Sequence, residues 1–352
     1  MSKTADTMRA VVFHGKEDVR VERIPIPPCG GEELRVKIEA CAICGSDLKT
    51  YYSGNPRMKP PMTMGHEFTG VIETVGSAVR GFAPGERIVM ATSVACGHCV
   101  YCRRGWSNLC LNLTPVGYSY PGGMAEYMVV PALGVRNGNV VKVPAGLEPR
   151  HACLAEPVSC AVNAAEIVGV GPGDTVVVIG AGPLGIMNLF VAREMGAART
   201  ILAQREGRRL ELARRFECDR LVNTTVEDLA EVVREETDGL GADVVIVAAP
   251  SADMQARAVE LVRKRGRVSL FASLPVGKNI LEVDSRKIHY GELAVHGSSD
   301  SAPRHVVRAL EILQKPAFPR EQLASHVLPF EEFPRAVEII AAREAMRVVL
   351  TP

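Results

Sequence analysis

Along the first 150 residues, apolar positions come in short runs separated by Gly and Pro. "RAVVF" (9–13), "ELRVKIEA" (33–40), "FTGVIETVG" (68–76), "RIVMA" (87–91) and "AEYMVV" (125–130) are too short for helices, and they predict the strands of a compact β-domain. From about residue 160 the pattern changes. The runs "TVVVIG", "RTILA", "RLVN", "ADVVIVAA" and "GRVSLF" alternate with stretches of helical periodicity at 183–195, 207–215, 226–236 and 252–264. This alternation predicts a parallel sheet wound with helices on both faces, since each parallel crossover needs a helix-length connection. Near and beyond 295 come a strand "LAVHG", helical segments at 303–314 and 330–343, and a closing strand "RVVLT".

Composition narrows the class. A chain of 352 residues with 47% hydrophobic and 23% charged positions is long enough for two domains with filled cores. Its 41 Lys and Arg against 40 Asp and Glu leave no global field to attract nucleic acid or an anionic membrane. The basic patches "RKRGR" (263–267) and "ARR" (213–215) accordingly read as solvated faces. The most apolar stretch, from Thr175 to Ala192, is broken by three glycines and a proline, and the opening residues lack the apolar core of a signal peptide. A soluble cytoplasmic protein acting on a small molecule is expected.

"ACGHCVYCRRGWSNLC" (95–110) places Cys96, Cys99, Cys102 and Cys110 within one short segment. In a reducing compartment this spacing suits four thiolates around a zinc ion, a closed shell and hence a structural site. His98 then reads as a surface residue and Trp106 as a packing one. Cys29, Cys41, Cys153, Cys160 and Cys218 show no ligand spacing and read as small packing residues. At "VVVIGAGPLG", Gly180, Gly182 and Gly185 form G-x-G-x-x-G between a predicted strand and helix, with Pro183 and Leu184 inside the turn. In that context the motif predicts a dinucleotide site, its pyrophosphate facing the helix N-terminus.

A reactive centre needs other groups, and "AICGSDLKTY" (Cys44), "MGHEFTG" (His66, Glu67) and "LAEPVSCAV" (Glu156) supply Cys, His and carboxylate from distant segments. Brought together they would hold a catalytic zinc with an open position, although each alone is an unremarkable residue. Together with "CGSD", "GHEFTGVIETVG", "GERIV", "CGHCVYC...NLC", "AEYMVV", "AEPVSC", "GAGPLG" and "IHYGELAVHGS" in this order, they give the chain a pattern that resembles the zinc-dependent medium-chain alcohol dehydrogenases, nearest the sorbitol and other polyol dehydrogenases, with L-threonine dehydrogenase a near relative.

The resemblance implies an α/β protein: a GroES-like β-rich catalytic domain over residues 1–159, a Rossmann doubly wound coenzyme domain over 160–294, and a segment 295–352 completing the first. It implies two zincs per chain and a homo-oligomer, dimer or tetramer. Cys44 and His66 fall on zinc ligands, Glu67 on the glutamate that ligates or sits behind the metal, and Glu156 on the position where polyol dehydrogenases have Glu and the horse-liver type has Cys. Ser46 matches the hydroxyl that takes the substrate proton. Two departures stand out. Lys49 occupies the place of the usual relay histidine, and "HGSSDS" gives Ser298, Ser299 and Asp300 where polyol dehydrogenases commonly have Arg-Tyr, which argues against sorbitol itself. Tyr51, Asn55 and Arg57 are candidates for a polar substrate pocket.

Cofactor choice is read from "RTILAQREGRR". An NAD enzyme usually has an acid about 20 residues beyond the glycine motif, whereas here Gln204 and Arg205 stand at the strand end, with Glu206 following. Losing the carboxylate removes repulsion of a 2′-phosphate, and a guanidinium can pair with it, so NADP is expected over NAD. Of the competing classes, a zinc-free quinone reductase would lack Cys44, His66 and the cysteine lobe, and a zinc-ribbon interaction module would need neither the glycine motif nor "GHE". The reading that uses every feature is a zinc-dependent oxidoreductase of a polyol, sugar or sugar derivative, with an amino alcohol such as L-threonine the alternative.

Overall fold

The computed structural model describes residues 6–352, which divide into two compact units: residues up to Ser159 together with Asp300–Pro352, and Cys160–Ser299. The first is β-rich. Its larger sheet runs in the order Val140–Lys142, Arg87–Met90, Glu67–Val75, Leu34–Ala42, Val348–Thr351, His326–Pro329, and Tyr127–Val130 also pairs with Leu34–Ala42. A smaller sheet joins Asp18–Pro25, Thr7–Gly15 and Met62–Thr63. Alternation along Leu34–Ala42 buries Leu34, Val36 and Ile38 on one face, where they join the core cluster of Phe68, Ile72, Phe330 and Phe333. The C-terminal strand pairs antiparallel with that same strand, Val349 opposite Ala42 and Leu350 opposite Cys41, so the chain's last residues sit at the heart of its first domain.

The second unit is a six-strand parallel sheet in the order Arg220–Asn223, Arg199–Gln204, Thr175–Ile179, Ala242–Val247, Val262–Leu270, Ala294–Gly297. Its central strands are near-continuous Val and Ile because both faces are covered. The strand order reverses beside Thr175–Ile179, the strand that leads into the glycine motif.

Three features differ from the sequence reading. The strand Ala294–Gly297 belongs to the parallel sheet, pairing with Arg267–Leu270, so the unit ends at Ser299 and not at 294. The helix expected over 252–264 stops at Leu261, and Val262 opens a strand. The basic run "RKRGR" therefore lies in a sheet, where Arg263 and Arg267 face Asp243 at 2.5 Å and Asp174 at 2.7 Å, instead of forming a merely solvated patch. Finally, Ala155–Val168 is a helix that the apolar pattern had not marked; its Pro157 sits in the first turn, where a missing N–H costs little.

Candidate active site

The pairing of Ala42 with Glu67 brings the end of Leu34–Ala42 beside the start of Glu67–Val75. Two residues beyond Ala42, Cys44 caps the helix Gly45–Ser53, its backbone N–H donating to Asp47 Oδ2 at 2.9 Å. His66 follows Gly65, whose φ of +95° and absent side chain are both required: a Cβ there would lie 2.7 Å from Cys41 Sγ and 2.6 Å from a Met124 carbon. The structure thus gathers the donor atoms of Cys44, His66 and Glu67 within 4.8 Å of one another.

These donors fit a metal cation. His66 is 7% exposed and Glu67 wholly buried, and His66 Nδ1 and both Glu67 oxygens lack a hydrogen-bond partner among the described residues. Arg347 Nη2 stands 3.0 Å from Glu67 Oε1 as a charge partner, while its Nη1 donates to Ile43 O at 3.0 Å. Burial holds the Glu67 carboxyl well above its usual range against the opposing pull of Arg347, and burial likewise pushes Glu156 up to about 7, with Cys44 and Asp300 adding to it. Burial disfavours the Cys44 thiolate too, yet His66 beside it brings the thiol down to about 5. With His66 neutral, as a metal ligand must be, ionised Cys44, Glu67 and Glu156 would oppose the single cation Arg347, an imbalance that a bound dication relieves. Glu156 lies in the first turn of Ala155–Val168, interacting electrostatically with this trio but outside its 4.8 Å donor group.

Ser46 sits in the first turn of the Cys44-capped helix, its Oγ 3.5 Å from His66 Nε2. Its close partner is not Lys49, which is exposed, but Tyr118, whose O–H donates to Ser46 Oγ at 2.7 Å. Burial pushes the Tyr118 phenol up. Tyr51 packs toward the core, edge-on to Phe333 at 6.5 Å; Asn55 donates to Thr50 Oγ1 and accepts from the Arg57 N–H, closing its own loop; and Arg57 is exposed. Sequence reasoning missed Tyr118, Asp47 and Arg347. Asp47 was visible within "CGSD" as the third residue after a helix cap, a position that favours a carboxylate; Tyr118 and Arg347 carry no local signal.

In the cysteine lobe, Cys99 Sγ lies 3.4 Å from Cys102 Sγ and 4.0 Å from Cys110 Sγ, and Cys96 Sγ lies 3.9 Å from Cys102 Sγ. Zinc–sulfur bonds of about 2.3 Å in a tetrahedron give sulfur separations of about 3.8 Å, so the four sulfurs fit one zinc. Backbone N–H groups of Cys96 and Asn112 donate to Cys110 Sγ. His98 is exposed, its Nδ1 2.9 Å from Cys96 O. Trp106 is not the packing residue expected: it is 44% exposed, with the Arg104 guanidinium 5.6 Å above its ring.

At the glycine motif, Gly180 has φ +105°, and a Cβ on Gly185 would fall 1.8 Å from Gly180 O, so strand and helix pack at glycine distance. Beside Gly182 the space is open, as a pyrophosphate's approach to the backbone requires. Gly182 caps the helix Pro183–Glu194, with Pro183 and Leu184 half-buried in its first turn. Gln204 ends its strand and accepts the Ala181 N–H at 2.9 Å; Arg205 and Glu206 are exposed.

Residues 30–145 match the alcohol dehydrogenase GroES-like domain, and residues 183–315 match the zinc-binding dehydrogenase domain. The chain is 33% identical to the sorbitol dehydrogenase of Halalkalibacterium halodurans, across 98% of this chain and 99% of that one. It is 32% identical to the L-threonine 3-dehydrogenase of Pyrococcus abyssi, across 99% and 98%. A zinc-binding dehydrogenase from Sinorhizobium meliloti, solved bound to NADP, superposes with a TM-score of 0.91 at 32% identity, covering 99% of this chain and all (100%) of that one. With relatives of this identity spanning its whole length, the chain belongs to the zinc-dependent medium-chain alcohol dehydrogenase family, whose chemistry is oxidoreduction of alcohols.

Proposed function

We propose that this enzyme transfers hydride between a secondary alcohol of a polyol, sugar or sugar derivative and a nicotinamide cofactor, with NADP preferred over NAD. The observation that carries the reading is the convergence of half-buried Cys44 with buried His66 and Glu67, with Glu156 close enough to perturb them electrostatically. A zinc held by Cys44, His66 and a carboxylate would supply Lewis-acid activation of the substrate oxygen. A dinucleotide on the Gly180–Gly185 turn would supply the hydride acceptor. Ser46 would take the substrate proton, its Oγ lying beside His66 Nε2. Its close hydrogen-bonded partner is Tyr118, which donates to the serine oxygen and so orients it without taking its proton, while Lys49 is exposed.

Glu at 156 and the sorbitol dehydrogenase relative favour a polyol, while Ser298, Ser299 and Asp300 argue for one other than sorbitol. The L-threonine 3-dehydrogenase relative supports an amino alcohol as the second reading. A panel of polyols, sugars, sugar phosphates and L-threonine with each cofactor, followed by absorbance of the reduced nicotinamide, tests it. Turnover of polyols is expected; turnover of L-threonine alone selects the second reading, and none at all overturns both.

Gln204 at the strand end, exposed Arg205 and the NADP-bound S. meliloti structure support the cofactor preference. Arg205→Ala should move kcat/KM toward NAD; a wild type that prefers NAD more than about tenfold, or an unchanged ratio, removes Arg205 from phosphate recognition. A homo-oligomer is also proposed, since Ala294–Gly297 ends its sheet with Tyr290 and Val295 exposed nearby. Light scattering measures its size. Work in the cytosol fits four lobe cysteines kept as thiolates, and no helix among the described residues is long and apolar enough to cross a membrane.

A further inference from the structure

The bond between Tyr118 and Ser46 has a definite direction. Tyr118 O–H donates to Ser46 Oγ at 2.7 Å, and the tyrosine ring stands 5.3 Å from that of His66, tilted by 37°. The ring packs against the hydrophobic core of its unit. The segment that follows it is tied to the residues leading into the histidine: Gly122, Gly123 and Met124 donate to the carbonyls of Thr63, Gly65 and Met64, each at 2.9 Å. Tyr118 and His66 are therefore mounted on one hydrogen-bonded frame.

Ser46, by contrast, has a short side chain with three staggered rotamers, and besides the tyrosine its Oγ meets His66 Nε2 at the longer distance of 3.5 Å. A donor held by a rigid ring makes the choice among the rotamers. Once one Ser46 lone pair is taken by Tyr118, the other remains to accept a hydrogen bond from a substrate hydroxyl.

We propose that Tyr118 is a positioning residue for the reaction, its phenol holding the Ser46 hydroxyl in the rotamer that meets the substrate oxygen. This rests on the reading of the Cys44, His66 and Glu67 cluster as the centre that binds that oxygen. Tyr118 acts only through Ser46, so its effect vanishes when Ser46 has no hydroxyl.

The test is a double-mutant cycle of Tyr118→Phe and Ser46→Ala in the zinc-loaded enzyme. Two quantities are followed: kcat and KM for the best polyol, and the calorimetric dissociation constant of trifluoroethanol with oxidised cofactor present. Trifluoroethanol is an alcohol whose electron-poor carbon resists hydride loss, so its binding reports on the site without turnover. Tyr118→Phe should lower kcat about tenfold, the scale of one hydrogen bond, with the cofactor KM unchanged. The double variant should match Ser46→Ala within about twofold, in turnover and in trifluoroethanol affinity alike. An equal cost of Tyr118→Phe with and without the Ser46 hydroxyl overturns the proposal, as does no cost at all. Loss of zinc or a lowered thermal midpoint in Tyr118→Phe assigns the residue to the fold and also overturns it. A wild type that neither oxidises any alcohol of the panel nor binds trifluoroethanol overturns the reading of the site, and the proposal with it.

Discussion

Arg347 is 4% exposed, and its guanidinium is divided between the Ile43 carbonyl and the Glu67 carboxylate. A buried cation of this kind is tolerated because its charge is answered on the spot, and removing one member of such a pair leaves the other uncompensated. Arg347→Met should therefore destabilise the β-rich unit by about 3–5 kcal/mol, the usual cost of breaking a buried pair. Glu67→Gln added to it should recover part of the loss. Thermal midpoints of the two variants and the wild type check this; a midpoint unchanged in Arg347→Met would mean that Glu67 is answered elsewhere. At the same scale, Asp47 shows one side chain serving two purposes. One oxygen accepts the Cys44 N–H at the helix start, and the other lies 3.6 Å from His66 Nδ1, so the turn that presents the cysteine also faces the imidazole.

The element that carries the most constraint is the turn from Thr175–Ile179 into Pro183–Glu194. A methyl group on Gly185 has nowhere to go, since the Gly180 carbonyl would be 1.8 Å away and is itself part of the turn. Gly185→Ala should push the helix off the strand and cost about 1–3 kcal/mol, as overpacking does, together with most of the affinity for dinucleotide. Calorimetric titration with NADPH and with NADH measures the second effect; wild-type affinity in both would show that the turn does not hold the pyrophosphate. The strand Val262–Leu270 teaches a different lesson. Its arginines at 263 and 267 look like a surface patch along the chain, yet each answers an aspartate of the same unit, Asp243 or Asp174. Charge runs are ambiguous until the partner strand is known.

Across the whole molecule, both donor sets belong to the β-rich unit and the glycine turn to the other, so metal and dinucleotide binding should be separable. The purified protein should carry two zincs per chain by emission spectrometry. Cys44→Ser should lose one zinc and nearly all turnover while keeping NADPH affinity. Cys102→Ser should lose the other, and with it thermal stability or assembly more than chemistry, because a closed thiolate site contributes to folding. A single zinc in active wild-type protein would contradict the two-site reading, and turnover retained in Cys44→Ser would remove that residue from the centre.

Much was legible in the chain itself because it is local. Four cysteines within sixteen residues have few ways to arrange themselves other than around one ion, and a G-x-G-x-x-G between an apolar run and a helical one defines its own turn. The switch from short β-runs to alternating strands and helices marked the parallel sheet by periodicity alone. The reactive cluster was named through the order of its motifs, by resemblance, and not by any local physics. What brings Cys44 to His66 and Glu67 is the register that sets Ala42 against Glu67 across an antiparallel pair. What brings Arg347 there is the pairing of Val349 with Ala42, more than 300 residues away along the chain. Tyr118 reaches Ser46 only because its loop is laced to residues 63–65. Strand register is decided by which side chains pack on which face once the sheet assembles, and contacts so distant in sequence leave no mark on the segments that make them.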